Sequence, residues 1–177
     1  MEAFVASWNT LVSISVIALD IALVAFVIVR FAPGLSYTKI ESTIHTYRVG
    51  IVTVITALAM IGSLVYSNII GYPPCWLCWM QRIAIYPIAI LGITALVRNE
   101  KTTIPYIKVL AWTGWVIALY HIFIYYTGYS PLPCDASATC TARYVYEFGF
   151  MTIPLMSFSV LSAVLVVIGA RKGEHTV

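Results

Sequence analysis

Charge is what this chain has least of: Asp, Glu, Lys and Arg make up 10% of its 177 residues, against 61% apolar residues and a mean hydropathy of +0.93. So little charge excludes a soluble globular domain and indicates an integral membrane protein. The apolar residues do not alternate, which excludes a membrane barrel built from strands with one face to lipid and the other to a lumen. Neither an internal repeat nor a low-complexity tract is present. No basic residue precedes the first apolar run and positive charge follows it, so that run is expected to be a retained anchor and not a cleaved leader. Cysteine is limited to four residues: Cys75, Cys78, Cys134 and Cys140.

Five apolar runs remain, at residues 11–31, 49–70, 78–97, 106–127 and 152–170. Each approaches the roughly 20 residues that a helix needs to cross about 30 Å of hydrocarbon. The expected fold is all-α and polytopic, with five transmembrane helices. Arg30, Lys39, Arg48, Arg98, Lys101, Lys108, Arg171 and Lys172 fall on one side of such an arrangement. The other side carries Arg143 as its only loop cation, with Arg82 just inside the following helix. Because Lys and Arg are retained on the cytoplasmic side, the N-terminus is expected outside, the C-terminus inside, and both cysteine pairs on the outer, oxidising face of the cell membrane. The membrane lipid is the expected environment, and no nucleic-acid partner is expected.

Asp20 lies near the middle of the first run, where an anion facing lipid costs roughly 2.5–3.5 kcal/mol. It is expected to face another helix, satisfied by a Ser or Thr. Pro105 suits the first turn of the fourth helix, while Pro87 and Pro154 are expected as kinks. Pro33-Gly34 is expected to break the chain after the first span. Tyr72, Trp76, Trp79, Tyr125, Tyr126, Tyr129, Tyr144 and Tyr146 are expected mainly as an aromatic belt.

The chemistry starts at Pro73-Pro74-Cys75-Trp76-Leu77-Cys78-Trp79-Met80-Gln81-Arg82. The two prolines cannot continue the preceding helix, so a new one is expected to start near Cys75–Cys78. Thiols at a helix N-terminus meet unpaired N–H groups and the positive end of the dipole, which stabilise a thiolate. Arg82 follows Cys78 by four residues, about 6 Å deeper on the same face. There it can hold a thiolate and an acceptor oxygen, or simply snorkel to the interface. His121, on the fourth helix, falls at a comparable depth and reads either as a packing residue or as a site residue. The cysteines also admit two structural disulfides, although both loops are too short for much chain-entropy gain. A four-cysteine zinc site lacks a second CxxC, and covalent haem lacks a His after Cys78.

Cys75-Trp-Leu-Cys78-Trp-Met-Gln-Arg82, His121 thirteen residues before Cys134, and Phe148-Gly-Phe-Met-Thr-Ile-Pro154 together resemble the DsbB family of disulfide bond formation proteins, in particular its compact BdbC or DsbI-like branch. The resemblance implies a four-helix bundle that binds a quinone beside the CxxC helix and reoxidises a DsbA-like thioredoxin-fold partner. It implies that the partner attacks the Cys134–Cys140 disulfide at Cys134, and that Cys140 is then reoxidised by the Cys75–Cys78 pair. Cys78, facing Arg82, would deliver two electrons to the quinone, ubiquinone or menaquinone, with His121 near its head group. Residues 48–177 would form this redox domain and residues 1–47 an anchor and linker to which the family assigns no role. The five residues between Cys134 and Cys140 make a shorter loop than in the best-known enterobacterial members. A vitamin-K-epoxide-reductase-like enzyme is an alternative, as is a non-enzymatic membrane chaperone or assembly factor with structural disulfides.

Overall fold

A computed structural model describes residues 1–31, 38–99, 102–129 and 140–170, without the side chains of Phe31, Thr38 and Lys39. Five helices run through them: α1 (Glu2–Phe31), α2 (Thr38–Leu64), α3 (Trp76–Arg98), α4 (Ile104–Thr127) and α5 (Ile153–Ile168). The protein is all-α and polytopic. α1, α2, α3 and α4 are each long and apolar enough to cross a membrane, whereas α5 has only 16 residues. The sequence reading places the fifth span over 152–170. The helix is shorter because Thr152 is extended and caps it, its Oγ1 accepting from Leu155 N–H at 3.4 Å, and because it ends at Gly169. Pro154 accordingly sits in the first turn of α5, where its missing N–H costs nothing, and makes no kink. Pro87 lies inside α3, and Pro105 is in the first turn of α4, where it is expected. The Pro33-Gly34 break lies outside the described residues.

α2, α3, α4 and α5 pack in a ring, each on its sequence neighbour and α5 back on α2, and α1 lies outside this bundle against α5. Between membrane helices close packing replaces the hydrophobic effect, so small residues mark the contacts. A Cβ added at Gly114 of α4 would come within 2.7 Å of Ala84 of α3 and 3.2 Å of Leu161 of α5. One at Gly92 of α3 would run into the Thr53 side chain of α2. Ile88, Ala111, Ala118, Leu161 and Val164 fill the centre. Interhelical polar ties include two hydrogen bonds: Trp115 Nε1 donates to Ser162 Oγ at 3.0 Å, and Ser159 Oγ donates to Asp20 Oδ2 at 3.0 Å. The second bond docks α1 on α5 and gives Asp20 the hydroxyl partner expected for it.

One end of the bundle holds Cys75, Cys78 and Cys140. There α2 runs into a π-helical turn, Val65–Ile69, closed by Ile70 N–H to Val65 C=O at 3.0 Å. Gly71, at φ +87°, then releases the chain into the extended stretch before α3. Past residue 140 the chain makes a tight Glu147–Met151 turn, with Phe148 and Gly149 both at positive φ, before entering α5.

Candidate functional site

Cys75 is the N-cap of α3: extended, at the end of the Pro73-Pro74 stretch, with its Sγ accepting from Cys78 N–H at 3.4 Å. The CxxC therefore lies where the sequence puts it, on the unsatisfied N–H groups of a helix start. Cys75 Sγ is 3.1 Å from Cys78 Sγ and donates its proton to it. That hydrogen bond, reinforced by burial, pushes the Cys75 thiol up to about 12, and the neighbouring His121 imidazole offsets only part of the rise. Cys75 is thus the proton-bearing member of the pair.

His121 organises the rest. Its Nε2 donates to the Cys140 carbonyl at 3.2 Å and lies 3.9 Å from Cys75 Sγ, while its Nδ1 accepts from Gln81 Nε2 at 3.4 Å. This pair of bonds selects one tautomer, with the proton on Nε2. Gln81 and His121 are both almost wholly buried, and each finds hydrogen-bond partners within the protein. Gln81 stands within the Cys75–Arg82 motif without a role of its own in the sequence-based expectations. Its available signal was its position, three residues after Cys78 on the same helical face. Cys140 packs with Cys75, Leu77 and Ile124 in one buried cluster. Cys134, its expected disulfide partner, lies outside the described residues.

Arg82 does point to the same region but is engaged elsewhere: Nη2 donates to the Ser63 carbonyl at 3.2 Å, and the guanidinium lies 5.2 Å from the Trp79 ring centroid. The Ser63 carbonyl also accepts from Ser67 Oγ, inside the π-helical turn, so Arg82 pins that turn to α3. His121 meets the cysteines through Cys75, whereas Arg82 stands over α2. What joins them is a cavity of about 390 Å³ on whose wall Cys75, Cys78, Gln81, Arg82, His121 and Cys140 all appear. Tyr66, Tyr72 and Tyr144 stack in series beside it, with centroids 6.1 and 4.8 Å apart. Tyr72 and Tyr144 thus form part of a wall in addition to any place in an aromatic belt. The ligating atoms of Cys75, Cys78 and His121 lie within 4.8 Å of one another, close enough to hold a soft metal ion, and here they hydrogen-bond to one another and to their neighbours.

A CxxC on a helix start, its first cysteine buried and a third cysteine packed against it inside a membrane bundle, defines a membrane thiol–disulfide oxidoreductase. Residues 46–170 match the family model "Disulfide bond formation protein DsbB", and the chain belongs to that family. It is 39% identical over 110 residues to the SPbeta prophage-derived disulfide bond formation protein B of Bacillus subtilis, covering 62% of this chain and 74% of that one. It is 32% identical over 125 residues to disulfide bond formation protein C of the same organism, covering 70% of this chain and 91% of that one. No solved structure matches.

Proposed function

We propose that the protein reoxidises a DsbA-like, thioredoxin-fold partner outside the cytoplasmic membrane and passes the electrons to a membrane quinone. The observation that carries this reading is the packing of Cys140 against Cys75 around His121. With Cys140 already packed beside Cys75, exchange between the two pairs needs little movement of the Cys140 sulfur. In the proposed order, a partner thiolate attacks Cys134 and breaks the Cys134–Cys140 bond. The partner's second thiolate then completes its own disulfide, leaving Cys134 and Cys140 reduced. Cys140 attacks the Cys75–Cys78 disulfide, and Cys134 closes the new Cys134–Cys140 bond, so each exchange breaks one S–S bond and forms another. The reduced CxxC loses two electrons and two protons as it closes again.

The quinone supplies the matching two-electron, two-proton sink. The cavity fits it: thiols, Gln81, Arg82 and His121 at one end, mainly apolar side chains over the rest, and the buried Trp8 Nε1 and Tyr66 Oη at its wall without a hydrogen-bond partner among the described residues. Buried polar groups are rarely left unpaired, and a carbonyl ligand offers such donors an acceptor. Cys78, which receives the hydrogen bond from Cys75, is assigned as the thiolate facing the acceptor, and Arg82 as the fixed cation near the oxygens where negative charge develops. His121 Nε2–H holds the Cys140 backbone in place for exchange. Residues 48–177 form the redox domain, with both pairs outside and the C-terminus inside, as the loop charge bias supports.

Two measurements test this reading. A membrane-impermeant thiol reagent applied after reduction should reach Cys134 and Cys140 from outside intact cells. In Cys140→Ser, a mixed disulfide between Cys134 and a thioredoxin-fold partner should accumulate. Adducts formed through Cys75 or Cys78 would reverse the order of the relay.

A further inference from the structure

α1 lies outside the segment that matches the family, yet it supplies one side of the cavity that holds the cysteines. Leu11, Ser15 and Leu19 recur every four residues, one stripe of α1, and all three line it. Across from them Ile55, Leu58 and Gly62 of α2 form a second single-faced stripe on the same cavity. The two helices are tied at the far end by the ion pair between Arg30 and the buried Glu41, 3.6 Å apart. α1 is held to α5 by the Ser159–Asp20 bond at mid-helix. On the cysteine side of both ties runs a cleft open toward the bilayer, where Leu11, Leu58 and Ile61 are half or more exposed. From Tyr66 back to Ile55 it descends about 16 Å.

We propose that α1 is part of the acceptor site: its Leu11–Ser15–Leu19 face and the α2 stripe form a lateral groove that takes the apolar tail of a quinone while the head group lies at the cysteines. The inference rests on the quinone reading above. The occupant follows from continuity. A single cavity is polar where the thiols, Arg82 and His121 meet it and mainly apolar toward the bilayer, where the Ser15 hydroxyl is turned back to the Leu11 carbonyl, and a prenylated quinone has that distribution in one molecule. A phospholipid acyl chain shares the apolar half but brings no reducible head group to the thiols. Trp8, one turn before Leu11, adds to the cavity wall an indole N–H without a hydrogen-bond partner among the described residues.

The test is selectivity for the tail, measured on the full-length protein in detergent. Dissociation constants are obtained by quenching of tryptophan fluorescence for a decyl-tailed quinone and for the same head group with a methyl in place of the tail, alongside KM for both. Ser15→Phe fills the groove from α1. Gly62→Phe fills it from α2, where an added Cβ meets nothing within 4 Å and so enters open space. Ile21→Phe, at an exposed α1 position off the cavity, is the control. Wild type should bind the tailed quinone the tighter. Ser15→Phe and Gly62→Phe should each cut that preference by about tenfold, equivalent to about 1.4 kcal/mol, and Ile21→Phe should leave it unchanged. An unaltered preference in Ser15→Phe would overturn the role of α1 and leave the groove to annular lipid, with the acceptor reading intact. A wild type that binds neither quinone would overturn the acceptor reading and this inference with it.

Discussion

Replacing Arg82 separates two jobs that one guanidinium holds in this structure. As an anchor, it donates to the Ser63 carbonyl at 3.2 Å and lies over Trp79. Hydrogen bonds to charged donors contribute about 1.5–3 kcal/mol to stability, so Arg82→Ala should lower the thermal midpoint and loosen the π-helical turn. As a fixed charge beside the proposed acceptor, it should contribute about 2.7–4 kcal/mol to the barrier, or about 10²–10³-fold in turnover. Arg82→Lys keeps the charge without the planar fork of donors and should fall between wild type and Ala in both respects. The assay is quinone reduction by a dithiol donor over a range of quinone concentrations, with thermal unfolding followed on the same samples. Loss of stability with normal turnover at every quinone concentration would refute the electrostatic role and leave Arg82 as the pin between α2 and α3.

Gln81→Leu removes the donor that fixes the His121 tautomer and leaves Nδ1 buried and unpaired, a cost of about 1–3 kcal/mol. Thermal stability and the rate of exchange between the two cysteine pairs should both fall, and a wild-type rate would show that the tautomer is irrelevant. Cys75, held up to about 12 chiefly by its bond to Cys78, should be alkylated by a small neutral reagent at a rate that keeps rising above the ordinary thiol range, while a plateau near pH 9 would contradict the hydrogen-bonded arrangement. The sign for stability follows: the tightly held proton stabilises the reduced fold below the ordinary thiol value, and that contribution is lost as pH rises through about 12. Asp20→Leu should free α1 from Ser159, exposing α1 in native membranes to protease or crosslinker faster than wild type.

Much of the bundle is legible in the linear sequence because hydropathy reports length directly, and each apolar run corresponds to a helix. α5 is the exception in length. Its apolar run continues through Thr152 and past Gly169, and only the capping geometry shows where the helix stops. The start of α3 is legible for a local reason, since two prolines before a CxxC leave few ways to begin a helix. Gln81 is not, because its importance comes from α4 bringing His121 beside it from 40 residues away in sequence. The same holds for the wall built by α1. Leu11 and Leu19 are indistinguishable by hydropathy from their lipid-facing neighbours and Ser15 reads as an ordinary helix hydroxyl, and only the docking of α1 on α5 turns that stripe toward the cysteines. Asp20 is the one residue of α1 whose cost in lipid foretells a partner, and Ser159 is that partner.

The central claim is that one chain links a thioredoxin-fold dithiol to a quinone through two cysteine pairs in series. Its most direct test supplies purified protein with a reduced DsbA-like partner and a quinone, and follows partner oxidation and quinol formation together. The relay predicts one quinol formed for each partner disulfide, with quinol formation from the partner abolished in both Cys140→Ser and Cys78→Ser. Partner oxidation without quinol formation, or quinol formation that survives loss of Cys78, would contradict it.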